Sequence, residues 1–75
     1  MIKTKKIYLV QYNNGDEYPG YYSEFTFKYC YSSKKQALQA IEELKQDQEF
    51  LENISEFIDD TTSINFWVKV VELVD

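Results

Sequence analysis

The chain has 75 residues and a formal net charge of −5, with 13 acidic and 8 basic side chains. A chain of this length forms one domain, residues 1–75, which buries only about 60% of the surface of its unfolded form. The apolar fraction of 44% and the aromatic fraction of 17% predict an ordered protein with rings in its core. No apolar run approaches the about 18 residues of a membrane span, and Met1 leads into a strand pattern rather than a signal peptide. We therefore expect a cytoplasmic protein that does not bind membranes.

Several residue types that carry common chemistry are missing. The chain has no histidine, which removes the commonest general base and metal ligand, and Cys30 is its only cysteine, so no internal disulfide or multi-cysteine zinc site can form. All eight basic residues are lysine, and the absence of arginine counts against sequence-specific binding of nucleic acid. The sequence predicts no catalytic residue, no metal and no cofactor, and hence a protein that is not an enzyme.

The first half of the chain has the pattern of two β-strands. The first, 3–12, is apolar on both faces, as expected for a central strand. Ile7 and Leu9 lie on one face, and the other face consists of Tyr8, Val10 and Tyr12. Residues 13–20 contain both glycines and the single proline, which predicts a hairpin loop. The second strand, 21–31, alternates cleanly, and its predicted buried face consists of Phe25, Phe27, Tyr29 and Tyr31.

The residues 33–47 predict the main helix. Ser33 is placed to accept the amide hydrogen of the third following residue, and Gln36 has the spacing of a capping box. The predicted apolar face of this helix consists of Ala37, Leu38, Ile41 and Leu44. The helical pattern continues through 48–58, but Phe50 and Phe57 fall off the stripe, which indicates a kink or a second short helix near 48–50.

The last strand is predicted at 64–74, with Ile64, Phe66, Val68 and Val70 on one face and Trp67, Lys69, Val71 and Leu73 on the other. The order strand, strand, helix, strand predicts an α+β fold (β-β-α-β). Its three-stranded, mainly antiparallel sheet carries one long or kinked helical segment on one face. A crossover by the helix places the third strand beside the first, in order 2-1-3, and the right-handed preference makes it parallel to the second. A second full helical segment would reverse that direction.

Charge is distributed unevenly along the sequence. Residues 1–35 have six lysines and three acids, a net +3, whereas residues 36–75 have two lysines and ten acids, a net −8. If the helix is continuous, five carboxylates lie within about 80° of one another and form an acidic ridge: Glu42, Glu49, Glu52, Glu56 and Asp60. Such a ridge can bind a basic surface by imitating the spacing of phosphates, or it can be a solvated face that keeps the protein soluble.

One sheet face is expected to lack a cover. With Phe25, Phe27, Phe66, Val68 and Ile7 assigned to the helix side, the other side is left with Tyr8, Val10, Tyr12, Trp67, Val71 and Leu73. An apolar patch of this kind usually marks an interface, so we predict a protein partner or a homodimer formed by this face or by an edge strand. Tyr8, Tyr12 and Trp67 can also stack bases, but on that face only Lys28 and Lys69 supply positive charge.

Three segments carry a pattern of strand, capped helix and Trp-containing strand: Lys6-Ile7-Tyr8-Leu9-Val10, Tyr31-Ser32-Ser33-Lys34-Lys35-Gln36-Ala37 and Phe66-Trp67-Val68-Lys69-Val70-Val71-Glu72-Leu73. Together they resemble a class of short uncharacterised proteins encoded by bacteriophages and mobile elements of AT-rich bacteria. The resemblance transfers no functional residue. It implies a setting in which small acidic proteins inhibit host defence, as anti-CRISPR proteins do, by binding a target.

Two functional hypotheses follow. In the first, the chain is a non-enzymatic inhibitor that presents its acidic ridge to a host protein, for example a nucleic-acid-handling defence factor such as a CRISPR effector. In the second, it is a structural or small-ligand-sequestering homo-oligomer that uses the sheet face around Trp67.

Overall fold

The computed structural model describes residues 4–74 and confirms the α+β class with a three-stranded sheet. The order of elements is β1 (Thr4–Asn13), β2 (Glu24–Tyr31), α1 (Lys34–Leu44), α2 (Gln48–Ile54), a 3-10 turn (Thr61–Ser63) and β3 (Phe66–Val74). The predicted start of the first strand, Lys3, lies outside the described residues.

The sheet has the order β2-β1-β3, and β1 is antiparallel to both neighbours. β3 therefore runs in the same direction as β2, which is the first of the two directions that the sequence left open, and the short second helix does not reverse it. The pairing of β1 with β3 is unbroken from Thr4 opposite Val74 to Tyr12 opposite Phe66. The pairing of β1 with β2 shifts between Leu9 and Gln11, so residues 27–29 of β2 bulge opposite a single residue of β1.

The N-terminus of α1 is capped as predicted. The Ser33 hydroxyl accepts a hydrogen bond from the Gln36 backbone N–H at 3.2 Å, and the Ser33 backbone is extended, as an N-cap requires. The Gln36 side chain does not complete the predicted capping box. Its Oε1 instead accepts a hydrogen bond from the Ser32 hydroxyl at 2.9 Å.

The helical segment is two short helices rather than one long one. α1 ends at Leu44, and Asp47 begins α2 as an N-cap whose Oδ1 accepts the Phe50 N–H at 3.2 Å. Because each helix ends within three turns, each can direct its own apolar face onto a different part of β1. Of the two predicted alternatives, the structure has the second short helix.

The core consists of two clusters arranged along β1. Val10 packs against the α1 residues Ala37, Ala40, Ile41 and Leu44. Tyr12 packs against Ile54 of α2 and Ile58, and its ring lies 5.5 Å from those of Phe25 and Phe50. Phe50 and Phe66 contact both clusters and join them into one apolar layer.

The buried face of α1 differs from the predicted one at one position. Ala40 is buried, whereas Leu38 is 47% exposed. Residues 37, 40, 41 and 44 follow the spacing i, i+3, i+4, i+7 that defines one helix face, and position 38 lies beside it. The prediction followed the hydrophobicity of leucine, whereas position on the helix decides burial.

The β1–β2 loop is held against the segment that precedes β3. Asn13 Oδ1 accepts hydrogen bonds from the Gly15 N–H at 2.9 Å and from the Asn65 N–H at 3.1 Å. Gly15 has φ +77°, and a Cβ there would lie 2.6 Å from Cβ of Ser63. Only glycine combines that backbone conformation with so close an approach.

The assignment of the α1 face can be tested with two substitutions on the same helix. Ile41→Ala removes a buried side chain and should lower the free energy of unfolding by roughly 2–5 kcal/mol. Leu38→Ala removes a half-exposed side chain and should change it much less, because little cavity is created. Urea denaturation of both variants measures the difference, and similar losses would contradict the assigned face.

Candidate interaction surfaces

Three residues predicted for the uncovered sheet face lie instead on the covered one. Val10 is fully buried and Tyr12 is 6% exposed, while Tyr8 packs at the margin of the α1 cluster. Val10 stands opposite Val68 in the register, and directly paired residues point to the same side of a sheet. The assignment of Tyr8, Val10 and Tyr12 to the open side is therefore wrong. Both alternating sets of β1 are apolar, so alternation alone could not show which set the helices cover.

The uncovered side, called the open face below, carries five apolar residues: Ile7, Leu9, Trp67, Val71 and Leu73. Trp67 and Val71 occupy it as predicted, and none of the five belongs to either core cluster. Ile7 stands opposite Val71, and Leu9 lies one row from Trp67. All but Leu73 are half-buried by their neighbours within the sheet, and Leu73 is 46% exposed.

A row of hydrogen bonds crosses the open face and fixes the position of Trp67. The indole N–H of Trp67 donates to Gln11 Oε1 at 2.9 Å, and Gln11 Nε2 donates to the Thr26 hydroxyl at 3.1 Å. Thr26, Gln11 and Trp67 stand side by side on β2, β1 and β3. Because its polar atom is satisfied, the indole ring can rest on the sheet with its apolar surface available.

The predicted base-stacking set is not assembled. Tyr8 and Tyr12 lie beneath the helices, which leaves Trp67 as the aromatic member on the open face. The assignment of Ile7 to the helix side is wrong, because Ile7 stands opposite Val71 on the open face, and the sequence analysis did not name Leu9 or Gln11 as residues of this face. Gln11 carried a usable signal, because an amide among the apolar residues of a strand indicates the side that needs a polar partner.

The free edge of β3 is long and regular. The Asn13 N–H donates to the Asn65 carbonyl at 3.1 Å, one step beyond the pairing of Tyr12 with Phe66. Since hydrogen-bonded and non-hydrogen-bonded pairs alternate in an antiparallel ladder, the odd-numbered residues of β3 direct their N–H and C=O groups to β1. The even-numbered residues direct theirs to the free edge: Phe66, Val68, Val70, Glu72 and Val74.

The free edge of β2 is irregular by comparison. The bulge at 27–29 interrupts it, and Lys28 Nζ lies 5.1 Å from the ring centre of Tyr29, which is itself exposed. Beside this edge a groove of about 510 Å³ runs to α2, with Phe27, Phe50 and Phe57 among its lining residues. Bulges are one of the usual means by which edge strands avoid pairing. β2 has this protection and the regular edge of β3 lacks it, while each of the two strands carries one lysine and one glutamate.

The five predicted ridge carboxylates are exposed but do not lie on one helix. Glu42 is on α1, and Glu49 and Glu52 are on α2. Glu56 and Asp60 follow the end of α2 at Ile54. The ridge as predicted required a continuous helix and is therefore wrong in its geometry, because the helix is interrupted at 45–47 and α2 ends at Ile54.

Asp60 has a structural role of its own. It caps the 3-10 turn, accepting hydrogen bonds from the Thr62 N–H and hydroxyl at 3.0 and 2.6 Å and from the Ser63 hydroxyl at 2.7 Å. The hydrogen bonds from the Thr62 hydroxyl, the Ser63 hydroxyl and the Thr62 N–H, in that order, lower the pKa of the Asp60 carboxyl. Its lone pairs are largely committed within the chain.

Within residues 4–74 no group of three or more histidine, cysteine, aspartate or glutamate side chains could hold a metal ion. Neither helix in that range has the length and apolar character needed to cross a membrane. No family model, no curated protein and no solved structure matches this chain. Its function has to be inferred from its own residues.

The cap made by Asp60 predicts a dependence of stability on pH. A folded-state pKa below the usual value means that the carboxylate stabilises the fold above about pH 4 and loses that effect as pH falls through the folded-state pKa. Asp60→Asn should lower the melting temperature at pH 7, and its difference from the wild type should shrink in acid. Asp59→Asn, with the same change in charge, is the control. Equal effects of the two substitutions at every pH would contradict the role of Asp60.

Proposed function

We propose that this chain is a non-enzymatic interaction protein, encoded by a bacteriophage or mobile element, that inhibits a host protein in the cytoplasm. It binds a basic surface of that protein with the exposed carboxylates of its helical layer, residues 42–60. A nucleic-acid-handling defence factor such as a CRISPR effector is the kind of target whose positively charged channel fits this chemistry.

The observation that carries the proposal is the separation of charge between the two layers. Residues 42–60 have eight carboxylates and one lysine, a net −7. The three strands have four lysines and two glutamates, a net +2. Acidic charge is thus concentrated where the helices face solvent, and it gives the molecule one side that a cationic partner would approach first.

The carboxylates of this layer are mostly available to a partner. Within residues 4–74 two ion pairs form, Lys6 with Glu72 and Lys45 with Glu42 at 3.5 Å, and both are exposed. Glu49, Glu52 and Glu56 take part in neither. Each exposed ion pair contributes only about 0.2–1 kcal/mol, so affinity would require several contacts at once and would weaken with salt.

The two-helix arrangement replaces the predicted ridge with a broader acidic surface. Glu42 lies on α1, whereas Glu49 and Glu52 lie on α2, which begins at its own N-cap, Asp47. A basic partner would therefore contact carboxylates on two separate elements.

The test compares two triple variants with equal net charge. Glu42→Gln, Glu49→Gln and Glu52→Gln remove three charges from the helical layer, whereas Glu17→Gln, Glu24→Gln and Glu72→Gln remove three from the loop and sheet. Tagged wild-type protein is used to capture a target from a bacterial lysate, and the affinity of the purified target is then measured for all three proteins.

The helical-layer variant should bind the target at least about tenfold more weakly than the control variant, and the wild-type affinity should fall steeply between about 50 and 300 mM salt. Equal affinities of the two variants, or an affinity that salt does not change, would contradict binding through the acidic layer.

A structural or small-ligand-sequestering homo-oligomer is the second candidate, and the open face favours it. Apolar side chains there lie on the side of the sheet away from both helices, with Trp67 held in place by Gln11. An association that buries such a surface should be insensitive to salt, which distinguishes it from binding through carboxylates.

A further inference from the structure

We infer that two copies of this chain pair along the free edge of β3, antiparallel and about a two-fold axis through Val70, and so form one six-stranded sheet. The inference deepens the homo-oligomer candidate by naming its interface. It is independent of the acidic layer, because β3 belongs to the sheet and the carboxylates of 42–60 belong to the helices.

The backbone of this edge is ready for pairing. Five residues of β3, the even-numbered ones, direct their N–H and C=O groups away from β1, and the strand has nine residues with no bulge in its pairing to β1. Its side chains near the C-terminal end are apolar and exposed: Val70 49%, Leu73 46% and Val74 68%. A long, regular and apolar edge strand is a template for another strand.

Side-chain chemistry selects the register of the pair. Directly opposed residues of an antiparallel pair point to the same side, so an even-numbered residue must oppose an even-numbered one. Centring on Lys69 places two ammonium groups against each other, and centring on Val71 pairs seven of the nine residues of β3, those from 68 to 74. Centring on Val70 opposes Val70 to itself and pairs all nine residues of β3.

The same register completes the open face. It opposes Trp67 of one copy to Leu73 of the other, and Lys69 to Val71, all on the side away from the helices. On the helix side it opposes Phe66 to Val74, which covers a side chain that is 68% exposed in one copy. Apolar residues that each copy leaves exposed are thereby placed beside one another.

A second copy suits this edge better than an unrelated strand, because pairing of the two β3 edges leaves no regular edge for a further strand. After the two β3 edges meet, both outer edges of the six-stranded sheet are β2 edges, which carry the bulge at 27–29. A bulged edge does not extend a regular ladder, so assembly stops at the dimer.

Disulfide trapping tests the register. In a Cys30→Ser background, Val70→Cys places two thiols on directly opposed residues of a hydrogen-bonded pair, whose Cα atoms lie about 5.5 Å apart, within disulfide range. Lys69→Cys and Val71→Cys are the matched controls. In this register each lies diagonal to its own copy at about 8 Å, beyond that range.

Mild oxidation should convert most of the Val70→Cys protein to a disulfide-linked dimer and little of the two controls. Preferential cross-linking at 69 or 71, or equal cross-linking at all three positions, would overturn the inference. Sedimentation of the unsubstituted protein at tens of micromolar should show a dimer, and a monomer would also overturn it.

Val70→Pro separates pairing at the edge from pairing of open faces. The Val70 N–H points away from β1, so proline removes no hydrogen bond of the β1–β3 ladder, and edge positions tolerate it. The variant should keep its circular-dichroism spectrum and sediment as a monomer. A Val70→Pro protein that remains a dimer would overturn the inference.

The helical-layer triple variant should still form the dimer, so loss of target binding and loss of the dimer are separate results.

Discussion

The structure depends on how the central strand β1 is placed beneath the helices. Among residues 4–74, β1 is the one strand that pairs on both sides, and a shift of one residue would exchange its two faces throughout. Val10 and Tyr12 are the centres of the two core clusters, and α1 and α2 are positioned by packing on them. At the end of β1, Asn13 ties the loop and the segment before β3 into the same register.

The sequence predicts the helices and strands of the fold well, but it predicts less well which side of each strand is buried. The Ser33 cap, the strand order and the two faces of β3 are as expected, because each follows from a local pattern or a chirality rule. The alternation of β1 does not show which side the helices cover, since both of its alternating sets are apolar, and the amide of Gln11 was the signal that the prediction did not use. The position of the Asp47 cap could not be predicted, because 48–58 carries helical spacing with no glycine or proline to interrupt it.

These same two features decide where the candidate interaction residues lie. The break at Asp47 and the end of α2 at Ile54 distribute the predicted ridge over α1, α2 and the chain beyond, where Asp60 caps the 3-10 turn. The facing of β1 brings Ile7 and Leu9, rather than Tyr8 and Tyr12, beside Trp67. What results is a molecule with an acidic helical side, an apolar open face and an unprotected β3 edge, and a homodimer through β3 would leave the acidic side free for a target.

The side of β1 that the helices cover is tested most directly by placing a charge at either of two consecutive positions, in separate variants. Val10→Lys buries an ammonium group among apolar side chains and should abolish cooperative unfolding, whereas Leu9→Lys places it on the open face and should leave a folded protein. Urea denaturation followed by Trp67 fluorescence measures both. A folded Val10→Lys protein together with an unfolded Leu9→Lys protein would contradict the placement of β1 on which the fold and both proposals depend.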